Sequence, residues 1–401
     1  MKKFIVFIIL FILLFNLNVN AENYNVHNPF PETDNIEDTT IDIFSEIYNY
    51  ANTDGVKKNM PEAAEEYLGK NSQDDGEMLN IADISDKFSF GFLFNIIMRI
   101  LGSLISIVVK NFIPVIALII LSAVIGVIKN LNASDGKDNF SDIINFILII
   151  CLAGAIFYNV RECFYTAKQF LDDIHVYMMT MIPVMASLST VSGNIASAAA
   201  NSTGLYVVLN VIDAVSGGVI LPVLQICFSL SLARQLTAST DTVNLSGVSS
   251  YIRSVLNWIF IFIMTILTAV LFFQNILASS ADTVAARTVK FTVTSAVPVV
   301  GGMIGDISRT IIGSFQAVKS IAGIFGVLVI IITLLPPLMT VILNKLMLKI
   351  TGAFALILGL DKQSEFLKEM SSLLDITLAV MISAAVVFIF DIAVFIKTVA
   401  V

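Results

Sequence analysis

The residues that could carry chemistry are few. The chain holds two histidines. His27 lies in a loose polar lead, and His175 falls in KQFLDDIHVYMM, where helical spacing puts Lys168, Asp172 and His175 on one face. Asp172 and Asp173 are the only nearby ligands for that imidazole, so a solvated face at the membrane surface accounts for the group better than a metal centre. The motifs GxSxG, HExxH, Walker A and CxxC are absent. GGMIGD, Gly301 to Asp306, departs from the dinucleotide fingerprint and lacks the soluble strand that such a loop follows. The sequence therefore reads as a non-enzyme without a cofactor or metal. More informative are charges and helix breakers set inside apolar sequence. Asp213 lies in an apolar run beside Gly217, Gly218 and Pro222. Arg287 and Lys290 open the stretch RTVKFTVTSAVPVVGGMIGDISRTI, and Asp306 and Arg309 close it one helical turn apart. Asp391 lies near the end of the last apolar run. Such charges are either neutralised in structural pairs, snorkelling ends, or members of a wet pathway. The pathway or gating candidates are Arg99, Pro183, Asp213, Pro222, Arg287, Lys290, Pro298, Gly301, Gly302, Gly305, Asp306, Arg309 and Pro337.

Those residues need a membrane around them, and composition supplies it. Of 401 residues, 57% are hydrophobic and 13% charged, against about 25% charged in a soluble domain; the mean hydropathy is +0.88. No basic stripe exists to neutralise phosphates, so nucleic acid is not an expected partner. Lys2 and Lys3, the apolar core FIVFIILFILLF and Val19-Asn20-Ala21 have the form of a signal peptide covering 1–21, with an uncleaved first span as the alternative. Residues 22–87 carry 16 acidic side chains against four lysines. They read as an acidic extracytoplasmic segment whose short helices cannot build a core and must dock on the body or on a partner. Cys151, Cys163 and Cys227 all fall beyond it, which excludes a disulfide-stapled ectodomain.

The expected fold is an all-α polytopic membrane protein with about six to eight transmembrane helices, interrupted or re-entrant segments, and a membrane domain over 111–401. Residues 88–110 form an amphipathic helix whose stripe of Gly91, Asn95, Arg99, Gly102, Ser103, Ser106 and Lys110 faces either the membrane surface or a wet interior. Spans are expected at 112–128, 143–160, 205–233, 254–273, 321–343 and 373–396. The third is long and reads as one broken helix or two short ones. Lys and Arg are spread too evenly over the loops to orient the chain.

A shift of about 115 residues brings 143–160 onto 258–275 and then onto 373–390, Pro183 onto Pro298, and Pro222 onto Pro337. This predicts parallel repeats, 143–257 and 258–372, followed by a final helix 373–396. The two matched stretches Ile182 to Gly204 and Phe291 to Gly305 are short and rich in small residues. They are expected to dip into the bilayer or to break, with close packing through Ser, Ala and Gly as the plainer alternative.

The run RTVKFTVTSAVPVVGGMIGDISRTI, followed by GIFGVLVIIITLLPPL, resembles the stage III sporulation protein AE family of endospore-forming Firmicutes, as does the order of signal, acidic segment, amphipathic helix and multi-span body. The resemblance covers the chain from about residue 40 and is strongest at 251–345. It implies a cell-membrane protein, in sporulating cells located in the mother-cell membrane around the forespore. It also implies membership of the stage III sporulation A complex, which joins stage II sporulation protein Q of the forespore membrane, acts as a channel or feeding apparatus, and supports late forespore gene expression through sigma factor G. A permease-like component is the leading expectation. A non-conducting scaffold and an independent secondary transporter are the rivals. The family offers no catalytic residues to carry over.

Overall fold

The computed structural model describes residues 138–237, 245–296, 301–358 and 360–397, and ahead of these 58–62, 64, 98, 102, 120, 123, 124 and 127. The expected signal, most of the acidic segment, Arg99 and Pro298 lie outside the described residues, as does the span 112–128 apart from single helical positions. The elements from residue 138 onward are all helical: α1 (Asp138–Val191), α2 (Ile195–Ile212), a π-helical segment (Asp213–Ile220), α3 (Leu221–Thr237), α4 (Leu245–Ala296), α5 (Gly301–Ile357) and α6 (Asp361–Lys397). Long apolar runs leave helix as the one way to satisfy the backbone without water. Among the described residues, five helical stretches are long and apolar enough to cross a membrane: Leu152–Val191, Ile195–Ala233, Ser250–Gln274, Val318–Ile357 and Gln363–Ile396. The protein is thus a multi-pass, all-helical membrane protein.

Side-chain contacts fix how the spans run. Cys163 of α1 meets Asn344 of α5, and Gly326 of α5 lies against Met181 and Tyr177 of α1, so these helices are antiparallel. Asp282 of α4 reaches Ala196 and Ser197 of α2, and Gln274 of α4 lies over Gly204, so that pair is antiparallel too. Phe228 of α3 stacks on Phe157 at 5.5 Å and meets Phe164 edge-on at 6.2 Å, both from α1. Gly323 and Gly326 let Ile392 and Ile396 of α6 approach α5 closely, where a larger side chain would collide. Hence α1, α4 and α6 run one way, and α2–α3 and α5 run the other.

Two polar layers bound the apolar body. At one end are Asp282, Lys319 and the turn between α1 and α2. At the other end Lys345 pairs with Asp375, and Arg253 Nη1 donates to the Glu369 carbonyl oxygen at 3.1 Å. From Lys319 to Lys345 α5 rises ~39 Å, enough to cross the ~30 Å hydrocarbon core. Outward between the layers lie Trp258, Ile259, Phe262 and Phe273 of α4, an apolar surface suited to lipid.

The two matched stretches can be placed on this frame. Ile182 to Gly204 breaks, one of its two expected forms: its residues are the last turns of α1, a tight turn, and the first turns of α2. Pro183 sits inside α1 without ending it. It is exposed, so the carbonyl that its missing N–H leaves unpaired faces outward. In the second matched stretch, α4 continues through Phe291 to Ala296 and α5 starts at Gly301. Finally, Pro222 opens α3 directly after the π segment, whereas Pro337 lies within continuous helix of α5, so these two do not occupy equivalent breaks.

Candidate functional site

The α1–α2 turn is built by TVSGN. Gly193 adopts φ 86°, the left-handed conformation that a side chain disfavours. The Gly193 N–H donates to the Thr190 carbonyl at 3.0 Å and the Asn194 N–H to the Ser189 carbonyl at 2.9 Å, which is the Schellman pattern of a helix end. Ser192 Oγ adds a bond to the Leu188 carbonyl at 2.6 Å. Asn194 then opens α2 by accepting the Ala198 N–H at 2.9 Å, yet its side chain makes no capping bond.

The cap comes from another span. The Ala196 N–H donates to Asp282 Oδ1 and the Ser197 N–H to Oδ2, both at 2.8 Å. A carboxylate satisfies two of the orphan donors of α2 and sits at the positive end of its dipole. Asp282 is 5% exposed, and the fully buried Lys319 of α5 lies within electrostatic range of it. A buried acid, a buried base and a helix N-terminus thus meet at one end of the apolar body.

From this layer a polar lane follows the α2–α4 contact. Ser197, Asn201 and Gly204 recur along one face of α2, and Gln274 and Asp282 lie on the facing side of α4. Ser189 Oγ, Ser197 Oγ, Asn201 Nδ2 and Gln274 Oε1 are buried without a hydrogen-bond partner among the described residues. A dry unpartnered group costs about 1–3 kcal/mol, so the three on α2 and α4, Ser197, Asn201 and Gln274, point to water or a polar solute in the lane. Gly204 makes the approach of Gln274 feasible, since a β-carbon there would collide with the amide.

The sequence candidates distribute unevenly around this site. Asp213 is the first residue of the π segment, half-buried, with its carboxylate near Gly217. The Leu221 N–H bonds to the Ser216 carbonyl, five residues back, so the ladder is already widened where Pro222 cannot donate. Pro337 lies in α5 beside Pro336. Arg287 and Lys290 fall in α4, and Gly301, Gly302, Gly305, Asp306 and Arg309 in the first turns of α5, where the helices are described but these side chains are not. Asp391 is 3% exposed in α6, with Oδ2 unpartnered among the described residues. The structure does not bring Pro183, Asp213 and Asp391 into the Asp282 layer. Sequence reasoning missed Asp282, Lys319 and Gln274. The signal was present in part: Leu271, Gln274 and Asp282 share helical spacing with the buried side of α4. No group of three His, Cys, Asp or Glu able to hold a metal occurs among the described residues.

The comparisons agree with the family named by the sequence. A family model described as stage III sporulation protein AE matches residues 78–399. The stage III sporulation protein AE of Bacillus subtilis (strain 168) is 23% identical over 193 residues, covering 48% of this chain and 48% of that protein. The match thus spans about half the length of this curated relative. No solved structure matches.

Proposed function

The chain belongs to the stage III sporulation protein AE family, and from that premise we propose that it is a permease-like membrane component of the stage III sporulation A feeding apparatus. In this reading it sits in the mother-cell membrane around the forespore, with residues 1–21 as signal and 22–87 outside the cytoplasm. It assembles with other stage III sporulation A proteins and, through them, with stage II sporulation protein Q. It lines or gates a passage that late forespore gene expression requires.

The observation that carries this reading is the buried polar lane of α2 and α4, closed at one end by Asp282 and Lys319. A structural anchor has no use for unpartnered buried amides and hydroxyls inside its spans, whereas a pathway does. We read α1 with α2–α3, and α4 with α5, as two parallel copies of one helical hairpin, with α6 as the opening helix of a third. The shared direction of α1, α4 and α6 supports this.

Removing the polar atoms of the lane tests the proposal. Ser197→Ala and Asn201→Leu replace them with apolar groups without overfilling the site, which the bundle should tolerate. A passage predicts that the variant accumulates and joins its partners while late forespore gene expression fails. Normal expression would leave the scaffold reading instead.

A further inference from the structure

The register of the spans gives each part of α1 a height in the membrane. With Cys163 at Asn344 and Met181 at Gly326, Lys168 and Asp172 stand level with Met339 and Leu335 of α5. That places Asp172 ~15 Å from the Lys345 layer and ~24 Å from the Lys319 layer, in the middle of the apolar body. Yet this pair is open. Lys168 Nζ donates to Asp172 Oδ2 at 3.1 Å and to Oδ1 at 3.3 Å, with side-chain exposures of 55% and 50%. Gln169 beside them is exposed as well. The sequence alone puts these residues at the membrane surface, whereas the register puts them at mid-depth, where lipid cannot solvate an open ion pair.

Two further observations lie at the same height. The short stretch from Lys58 to Ala64 packs on the body, with Pro61 and Ala64 buried, and Glu62 comes within electrostatic range of Asp173. A stretch that carries Lys58, Asn59 and Glu62 reaches mid-depth only through water. The π segment packs on α1 as well, and His175 Nδ1 and Ser216 Oγ are buried there without a hydrogen-bond partner among the described residues. Water at this level would satisfy both.

We propose that this face of α1 lines an aqueous recess that penetrates to the middle of the bilayer and admits water and small cations. Among the described residues, Asp172, Asp173 and Glu62 outnumber Lys168 and Lys58 there, and an acidic cleft with low-dielectric walls concentrates cations. The recess is distinct from the α2–α4 lane and does not depend on any role in sporulation.

Thiol labelling of the full chain in membrane vesicles tests it. Cys151 is replaced by serine, the buried Cys163 and Cys227 are kept, and the parent chain serves as the blank. Single cysteines are placed at Gln169, Asp172, Phe262 and Asp361. Phe262 is an outward residue of α4, and the α2–α4 register sets it level with Ser216, so Phe262→Cys reports lipid at the same depth. Asp361→Cys, at the exposed first residue of α6, reports bulk water. Gln169→Cys and Asp172→Cys should react with membrane-impermeant reagents as Asp361→Cys does, while Phe262→Cys stays inert. At Gln169→Cys, which removes no charge, a cationic reagent should react about tenfold faster than an anionic one. If both α1 positions are as inert as Phe262→Cys, or if Gln169→Cys shows no preference for the cation, the recess is overturned.

Discussion

Asp282 takes the place of the side chain that ordinarily caps a helix. Asn194 stands in the capping position but leaves the task to a carboxylate 86 residues further along the chain. Burial makes this cap more consequential than a surface one. Two charge-assisted bonds and an attraction to Lys319 depend on a single side chain, and removing it strands two N–H donors and takes a counter-charge from a buried ammonium. Asp282→Ala should therefore lower stability by about 2–4 kcal/mol, read as thermal unfolding in detergent. Asp282→Asn should fall between, because one amide oxygen can still accept a backbone N–H. Lys319→Met should cost less in the Asp282→Asn background than in the native chain, since the charge it balances is already gone. Strict additivity in that cycle would mean that the two residues are not coupled.

The elements show which features were legible in the sequence. Five of the expected spans correspond to helices long and apolar enough to cross, because hydropathy is a local property that the sequence carries openly. The irregular third span was legible as well: Asp213, Gly217, Gly218 and Pro222 mark the place where the helix widens rather than stops. The nature of the matched stretch Ile182 to Gly204 was not legible. Small residues and a proline suit a re-entrant loop and a tight hairpin equally, and only the contacts of α1 with α5 decide between them. Asp282 was passed over for a related reason, since a capping bond to a distant helix leaves no local spacing to read. The π segment supplies its own test. It holds one residue more than an α-helical path requires, so deleting Val219 should restore regular helix and leave α3 close to its present orientation on α2. Phe228 should then stay on Phe157 and Phe164, and folding yield should hold. A collapse of the yield would show that the widened turn itself seats α3 on α1.

For the whole molecule, the polar groups define a pattern that the apolar composition hides. Two charged layers bound a body that holds five spans among the described residues, a polar lane descends from one layer between α2 and α4, and a second polar face lies outward on α1. A protein that only anchored others would need the layers but neither the lane nor the face. The account rests on the charge at the closed end of the lane, so the most direct measurement replaces that charge alone. Cells carrying Asp282→Asn are taken through sporulation, and protein abundance, partner assembly and late forespore gene expression are followed together. The account predicts that abundance and assembly fall only modestly, as the partial loss of the cap implies, while expression is largely lost. Full expression with the asparagine in place, or a loss that merely follows the disappearance of the protein, would contradict it.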